Sequence, residues 1–598
     1  MQKVSQEWKD NQNELLVPES EIELSMRITD PDAYEDASAS DNGNMYFAQT
    51  DDIVSGVDYV MRPTLTLEQN LWVLDGSGEV LDTDNYGTNR YISNISCGLD
   101  KIFTTRPVIT ISFSKVFTEL LQGVTIVWSK LWEEYAEEFI VTAYNGETVV
   151  ATKTVTDNTS IKSIVYMDII DYDSITIEIV RWSLSNRRAR VEEVVIGIDK
   201  SYTKEDLFSY SHSQSVNPLS TELPKVEVSF SIDNVDNSYN PHNPQGLSKY
   251  LIERQEITVK YGYKINDKIE WIDGGRFYLS EWDAPQDGMT AEFKASDLLE
   301  FMRKTYYGGT YYPNGRSLYD LAVDVLTDAE LPLNKDGSVK WKIDDSLKNI
   351  YTVAPLPIDT HANSIQLIAN AGGCVIFQDR VGVLRIEPIV SNSSNMTNTD
   401  YSINYFNSYS KSNISLSKPI KDVAIGFYQY SVANDSTELY KGDANIVGTR
   451  ELIITYSGSA TNVNATVSGG TLNSATYYTN ACKLTITASG KVTVTVTGKL
   501  LESAKTEISI YNNDSGETVS VDNVLITSLD RASVIGEWIR SYYNNRMTLS
   551  SSWRADPRLD ALDIVDNEND YGTSKVLMTD VTYDYNGAFK GSGEGKVI

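Results

Sequence analysis

Val226-Glu-Val-Ser-Phe-Ser-Ile232 alternates apolar and polar side chains at every step. A period of two places Val226, Val228, Phe230 and Ile232 on one face and Glu227, Ser229 and Ser231 on the other, which predicts a strand with one buried and one wet face. Glu21-Ile-Glu-Leu-Ser-Met-Arg-Ile28 and Leu484-Thr-Ile-Thr487 read the same way. Turn clusters at Asp41-Asn-Gly43, Asn145-Gly146, Asp287-Gly288 and Asn586-Gly587 separate such runs. Helical periodicity is confined to Ser317–Leu326, Asn363–Ala371 before Gly372-Gly373, and Ser533–Tyr543. The predicted class is mainly β with a smaller α+β part.

Composition narrows the function. The chain has 598 residues, enough for about four domains, and a formal net charge of −32. That balance repels phosphate backbones and anionic lipid surfaces. No apolar run approaches the ~20 residues of a membrane span, and the start MQKVSQEWKDNQNELLVP lacks a signal peptide's basic and apolar regions. Cys97, Cys374 and Cys482 are too scattered for a disulfide framework, and with His212, His242 and His361 they form neither a zinc spacing nor a nucleophile motif. No cofactor or metal is expected, and the expectation is a structural or binding protein without catalytic chemistry. Tyr accounts for 37 residues, which suits both strands and interfaces.

Changes of composition divide the chain. Residues 1–76 are followed by a polar linker, 77–90. Residues 91–198 hold seven strands at roughly ten-residue spacing, Val108–Phe113, Gly123–Trp128, Glu138–Ala143, Thr148–Thr154, Ser163–Met167, Ser174–Val180 and Arg190–Ile196, as in a sandwich or jelly roll. Residues 201–300 return to long strands, and 301–430 carry the first two helices. Residues 445–528 are rich in Thr, Ser, Val and Asn and predict a small immunoglobulin-like sandwich. Residues 530–598 resume the earlier style and complete the core.

Two acidic motifs favour bland explanations. Asp233-Asn-Val-Asp-Asn-Ser-Tyr-Asn240 lacks the glycine and closing glutamate of a calcium loop and reads as a turn held by Asn and Asp side chains. Glu133-Glu134 and Glu137-Glu138 offer carboxylates for glycoside hydrolysis, but read better as a solvated acidic face.

Three segments carry a resemblance. They are Ser229–Gly246 with its continuation through Tyr250–Tyr263, Gly274–Trp282 and Phe293–Met302; Ser364–Ile386; and Ala555–Leu559 through Val581–Gly591. Together they resemble the tail-hub and tail-associated (tail tip, baseplate hub) proteins of phages of Gram-positive bacteria and of phage-tail-like particles. The resemblance implies β-barrel-like tail-tube domains interrupted by the two sandwiches. It further implies a homotrimer at the distal end of the virion tail, made and assembled in the host bacterial cytoplasm. Implied partners are distal tail, baseplate and tail tube proteins, a tape measure protein and receptor-binding proteins. DNA would pass through the lumen without specific binding, helped by acidic walls.

Residues 91–198 resemble the galactose-binding-like jelly roll inserted in such proteins. This makes Trp128, Trp132, Tyr135, Arg181, Trp182, Arg187 and Arg188 candidates for binding a host cell-wall glycan, with rings stacking on sugar faces and Arg taking hydroxyls. The competing assignment places Trp128 in the core and Arg187-Arg188 in a solvated turn. A carbohydrate-binding adhesin is therefore the alternative function to the structural hub.

Overall fold

The computed structural model describes the chain apart from residues 13, 15–18, 30, 44–49, 55–67, 69, 70, 72–89, 244–246, 249, 250, 252, 253, 267, 286–288, 335–337, 390–400 and 555. The linker 77–90, but for its last residue, and the turn Asp287-Gly288 lie outside the described residues. Strands make up 56% of the structure and helices 13%, arranged in several sheets, so the class is mainly β.

A thirteen-stranded sheet organises the molecule. Its path runs Gly197–Thr203, Ser20–Thr29, Glu256–Ile265, Lys268–Asp283, Thr290–Ser296, Lys225–Asp233, Leu207–Ser215, Gly572–Tyr585, Phe589–Val597, Met547–Arg554 and Asn413–Leu416, with Ile564–Asn569 and Ser402–Ile403 branching from Gly572–Tyr585. The strands of 201–300 and of the C-terminal segment meet at one seam, where Tyr210 to Ser215 pair antiparallel with Tyr585 to Asp580. Sequence distance is bridged by ladder bonds, and one core lies beneath them, including Val228, Phe230, Phe293, Tyr261, Tyr583 and Trp553. Gly591 sits where a Cβ would come within 2.7 Å of the Trp553 ring, so the strand makes room for the indole by omitting a side chain.

All three sequence-predicted helices form. Leu318–Asp328 starts at Ser317, whose hydroxyl accepts from the Asp320 N–H. His361–Gly372 starts at Thr360 and ends at Gly373 with φ 63°, a left-handed C-terminal residue. Leu529–Asn544 is capped by Ser528. With Val423, Ile425, Leu525 and Ile526 they build the second core. Two further helices, Gln6–Gln12 and Pro31–Asp36, lack the apolar periodicity that would have announced them.

The region 91–198 is a two-layer sandwich. Five strands (Ser38–Asp41, Val108–Phe117, Tyr172–Trp182, Ala136–Asn145, Thr148–Val155) face three (Glu193–Val195, Leu121–Val127, Lys162–Ile169) across one core. Ala33, Ala37, Ile53 and Val54 lie in that core. Ser38–Asp41 and the turn Thr50–Val54, with Ala33 and Ala37, therefore belong to the sandwich, not to the large sheet as the division at 76 has it; their few apolar side chains pack against the sandwich core.

Residues 445–528 differ from an immunoglobulin topology. The strands Ile420–Thr455 and Ala481–Tyr511 form one long hairpin, with Ala460–Ser468 and Thr471–Tyr477 successively pairing along the second strand. Gly448 (φ 83°) and Gly469 (φ 85°) adopt backbone that other residues avoid, and Gly490 lies in the same row, opposite Ile446. The three-strand ribbon bends there and closes on itself. Val492, Val494 and Val496 from one half share a core with Cys482, Leu484 and Ile486 from the other. The Tyr477 hydroxyl accepts from the Ala465 N–H across the two halves at 3.1 Å. The base of the ribbon docks on the α+β core through Thr479 N–H to the Gly309 carbonyl, 2.8 Å, and Asn480 to the Leu356 carbonyl, 3.2 Å.

Candidate functional site

The outer face of the large sheet is an extended polar surface. Register aligns its outward side chains in rows across six strands. One row reads Ser296, Glu227, Ser213, Thr582, Ser592, Ser552. The next reads Glu281, Lys294, Ser229, Ser211, Asp584, Lys590. A third joins Lys225, Ser215, Asp580, Glu594 and Ser550. Hydroxyls and carboxylates dominate these rows, and none of their members is apolar. Members bond to one another, Ser211 donating to Asp584 at 2.8 Å and Lys294 to Glu281 at 2.9 Å, and in the adjoining pair Ser209 Oγ lies 2.8 Å from Ser231 Oγ. A groove of about 620 Å³ lies beside these rows, lined by Ser209, Ser229, Ser231, Glu281 and Lys294 together with the aromatic Trp282. The sequence carries the signal in the alternating serines Ser209, Ser211, Ser213 and Ser215, which a search for chemical motifs passes over.

Behind that face the same strands hold a buried polar network. The Tyr210 and Tyr261 hydroxyls are 2.6 Å apart, and His212 Nδ1 is 2.9 Å from Tyr261. Burial, then the nearby Arg380 charge, push His212 down to about 3, so the imidazole is neutral near pH 7. Arg380 reaches in from the turn after Val375–Gln378 and donates to Asp560 at 2.8 Å and to the carbonyls of Asp273 and Leu559. It fastens the α+β part to the sheet. His361 bridges the Lys304 carbonyl and Asp328. Both histidines thus serve as internal braces. Among the described residues no group of three or more His, Cys, Asp or Glu side chains is placed to hold a metal ion, and no helix is long and apolar enough to cross a membrane.

The sugar-site candidates separate into two groups. Trp128 and Trp182 are fully buried, with ring centroids 5.9 Å apart at 85°. Their indole N–H groups donate to Ser163 Oγ at 2.8 Å and to Glu134 at 2.7 Å. Arg187 is buried too and donates to the other oxygen of Glu134 at 2.8 Å. These three are corrected from glycan contacts to core members, because a ring enclosed on both faces has none to offer a sugar. Glu134 is likewise corrected from a solvated acid to the buried acceptor that satisfies Trp182 and Arg187 together. Arg188 is occupied by the Ser93 and Asn94 carbonyls at 2.9 and 2.6 Å. Trp132, Tyr135 and Arg181 remain half-buried at the rim, with Arg181 3.8 Å from Glu138.

The Asp233–Asn240 stretch holds three Asx turns and one longer side-chain clasp, from Asn234 to Tyr239. Asp233, Asn234 and Asp236 side chains accept the N–H groups of Val235, Tyr239 and Ser238, and Asn240 accepts that of His242, at 2.9 to 3.0 Å.

No protein-family model matches the chain, and no curated protein matches it. Among solved structures, the chain is similar to the 43 kDa tail protein of prophage MuSo2 from Shewanella oneidensis (12% identity, 66% of this chain and 95% of that one, TM-score 0.37). It is also similar to the tail protein from Neisseria meningitidis MC58 (8% identity, 67% and 94%, TM-score 0.36). A third likeness is to prophage tail protein gp18 from Listeria monocytogenes EGD-e (10% identity, 67% and 91%, TM-score 0.34).

Proposed function

We propose that the chain is a structural tail protein of a phage or phage-tail-like particle, a trimeric hub that closes the distal end of the tail tube and lets DNA pass. The observation that carries this reading is the six-strand outer face of hydroxyls and carboxylates. A wall for a moving polyanion needs side chains that neither pair with phosphate nor stack on bases. Serine rows interspersed with Asp and Glu meet both demands, and two of the cations stand opposite acids, Lys294 by Glu281 and Lys590 by Asp584. A homotrimer joins a six-fold tube when each subunit offers two similar faces.

The test adds charge to that face. Ser213→Arg with Ser592→Arg, which sit in one row on either side of Thr582, should leave particle assembly intact and lower DNA delivery at least tenfold. Unchanged delivery, or electron micrographs placing this face on the outside of the particle, would refute the lumen assignment.

A second role is compatible with the first. Trp132 and Tyr135, half-exposed at the sandwich rim, support weak glycan contact there. Trp132→Ala should abolish binding to host cell-wall glycan on an array without altering oligomeric mass; retained binding removes this role.

A further inference from the structure

The large sheet is closed at one end and open at the other. At Gly197–Thr203 the sandwich seals it: the Thr125 hydroxyl donates to the Gly197 carbonyl and accepts from the Asp199 N–H, and Lys162 reaches Asp199 at 3.1 Å. At the far end Asn413–Leu416 is the outermost strand, exposed at all four residues. Among the described residues only one of its sides is laddered, to Met547–Ser550. The neighbouring Ser417 N–H bonds the Arg546 carbonyl at 2.9 Å, so by alternation Asn413 and Ser415 point inward and Ile414 and Leu416 turn their backbone groups outward.

Around this edge exposed apolar side chains stand between the exposed ion pairs Lys411–Asp570 and Lys418–Glu517. Leu416 is 64% exposed, Phe406 75% and Tyr571 98%, with Tyr405, Tyr409 and Met547 close by in the same strands and turns. Exposed aromatic side chains beside an open ladder are the features of an interface, and unpaired backbone groups in a row are answered by another strand. The chain itself carries a second such edge. Thr148–Val155 is the outermost strand of the five-stranded sandwich sheet, laddered only to Ala136–Asn145, with six of its eight residues exposed and Val149 among them.

We propose that copies of this chain associate head to tail by strand addition, Asn413–Leu416 of one copy against Thr148–Val155 of the next. Two different edges on one polypeptide give a heterologous contact, which is the kind that closes into a ring. The proposal rests on the trimeric reading above and names its contact.

Two variants test it in the full chain. Ile414→Pro removes an outward N–H while leaving the inward ladder to Met547–Ser550 in place. The double variant Val149→Lys, Val150→Lys charges the other edge. Circular dichroism and melting temperature of each should match the parent, and sedimentation should show each as a single chain where the parent has three times that mass. Mixed one to one, the variants should form a dimer and nothing larger, since each retains one intact edge. Three results overturn the proposal: an unchanged trimer in either variant, a dimer of the lysine variant by itself, or no dimer on mixing. A parent that stays monomeric at all concentrations instead refutes the trimeric reading.

Discussion

The sandwich and the folded ribbon solve one problem in two ways. Each is a two-layer β unit with its own core. The sandwich brings separate sheets together over large aromatic side chains, Trp128, Phe139, Tyr172 and Trp182, and must satisfy two indole N–H groups and the buried Arg187 inside. The ribbon keeps three strands continuous and folds them at a row of glycines over Val, Leu and Ile, with no buried ion pair among its core members. The first spends sequence on polar satisfaction, the second on backbone freedom. Their weak points therefore differ: a carboxylate in one and a backbone angle in the other.

The largest effect is expected at Glu134. Glu134→Ala removes the buried carboxylate that accepts from both Arg187 and the Trp182 N–H, for a loss of about 3–5 kcal/mol; chemical denaturation followed by tryptophan fluorescence measures it. A loss under 1 kcal/mol would mean that the sandwich, like the ribbon, does not depend on a polar anchor. The ribbon should respond at its bend. Gly469→Ala puts a Cβ 2.6 Å from the Lys491 carbonyl oxygen at φ 85°, costing roughly 1–3 kcal/mol. Gly448→Ala has open space around it at φ 83° and should cost only about 1 kcal/mol. Equal losses at the two glycines would show that close approach is irrelevant to the fold-over.

The smallest effect distinguishes the units by the sign of their pH response. Burial raises the Glu192 carboxyl above its ordinary value in the sandwich. The fold then binds a proton more readily than the unfolded chain, so this group's contribution falls as pH rises through the region above 4.5. Glu192→Gln, which keeps the acceptor used by the Lys130 N–H, should flatten that slope. Asp443 in the ribbon is lowered by Lys491 and Thr493, so its contribution is lost as pH falls below 3.8. Asp443→Asn should flatten only that acidic limb. Melting temperatures recorded from pH 3 to 7 separate the two, and slopes of one sign in both units would erase the contrast.

Local patterns were legible wherever a short period or a cap determines structure. Val226–Ile232 alternates and is a strand; Ser317, Thr360 and Ser528 each cap a helix. The Asp233–Asn240 turns followed from side chains that bond backbone two residues on. The candidate site was less legible. Trp128 and Trp182 satisfy the description of a sugar platform as well as that of a core, because the residue type is the same and only enclosure decides. The polar rows were readable strand by strand as alternating serines, yet not as a surface, since their members lie as far apart as Ser213 and Ser592.

The sequence by itself determined the strand periodicity, the helix starts, the turn chemistry and the acidic balance, because these depend on neighbours within a few residues and on composition. Only the tertiary structure decided that Tyr210–Ser215 pairs with Asp580–Tyr585, that Ser38–Asp41 and Thr50–Val54 complete the sandwich, and that Glu134 is buried. It also decided that a three-strand ribbon bends back on itself. Those outcomes rest on register and packing between segments separated in sequence, from about a dozen residues in the ribbon to some hundreds at the seam, which no local pattern encodes.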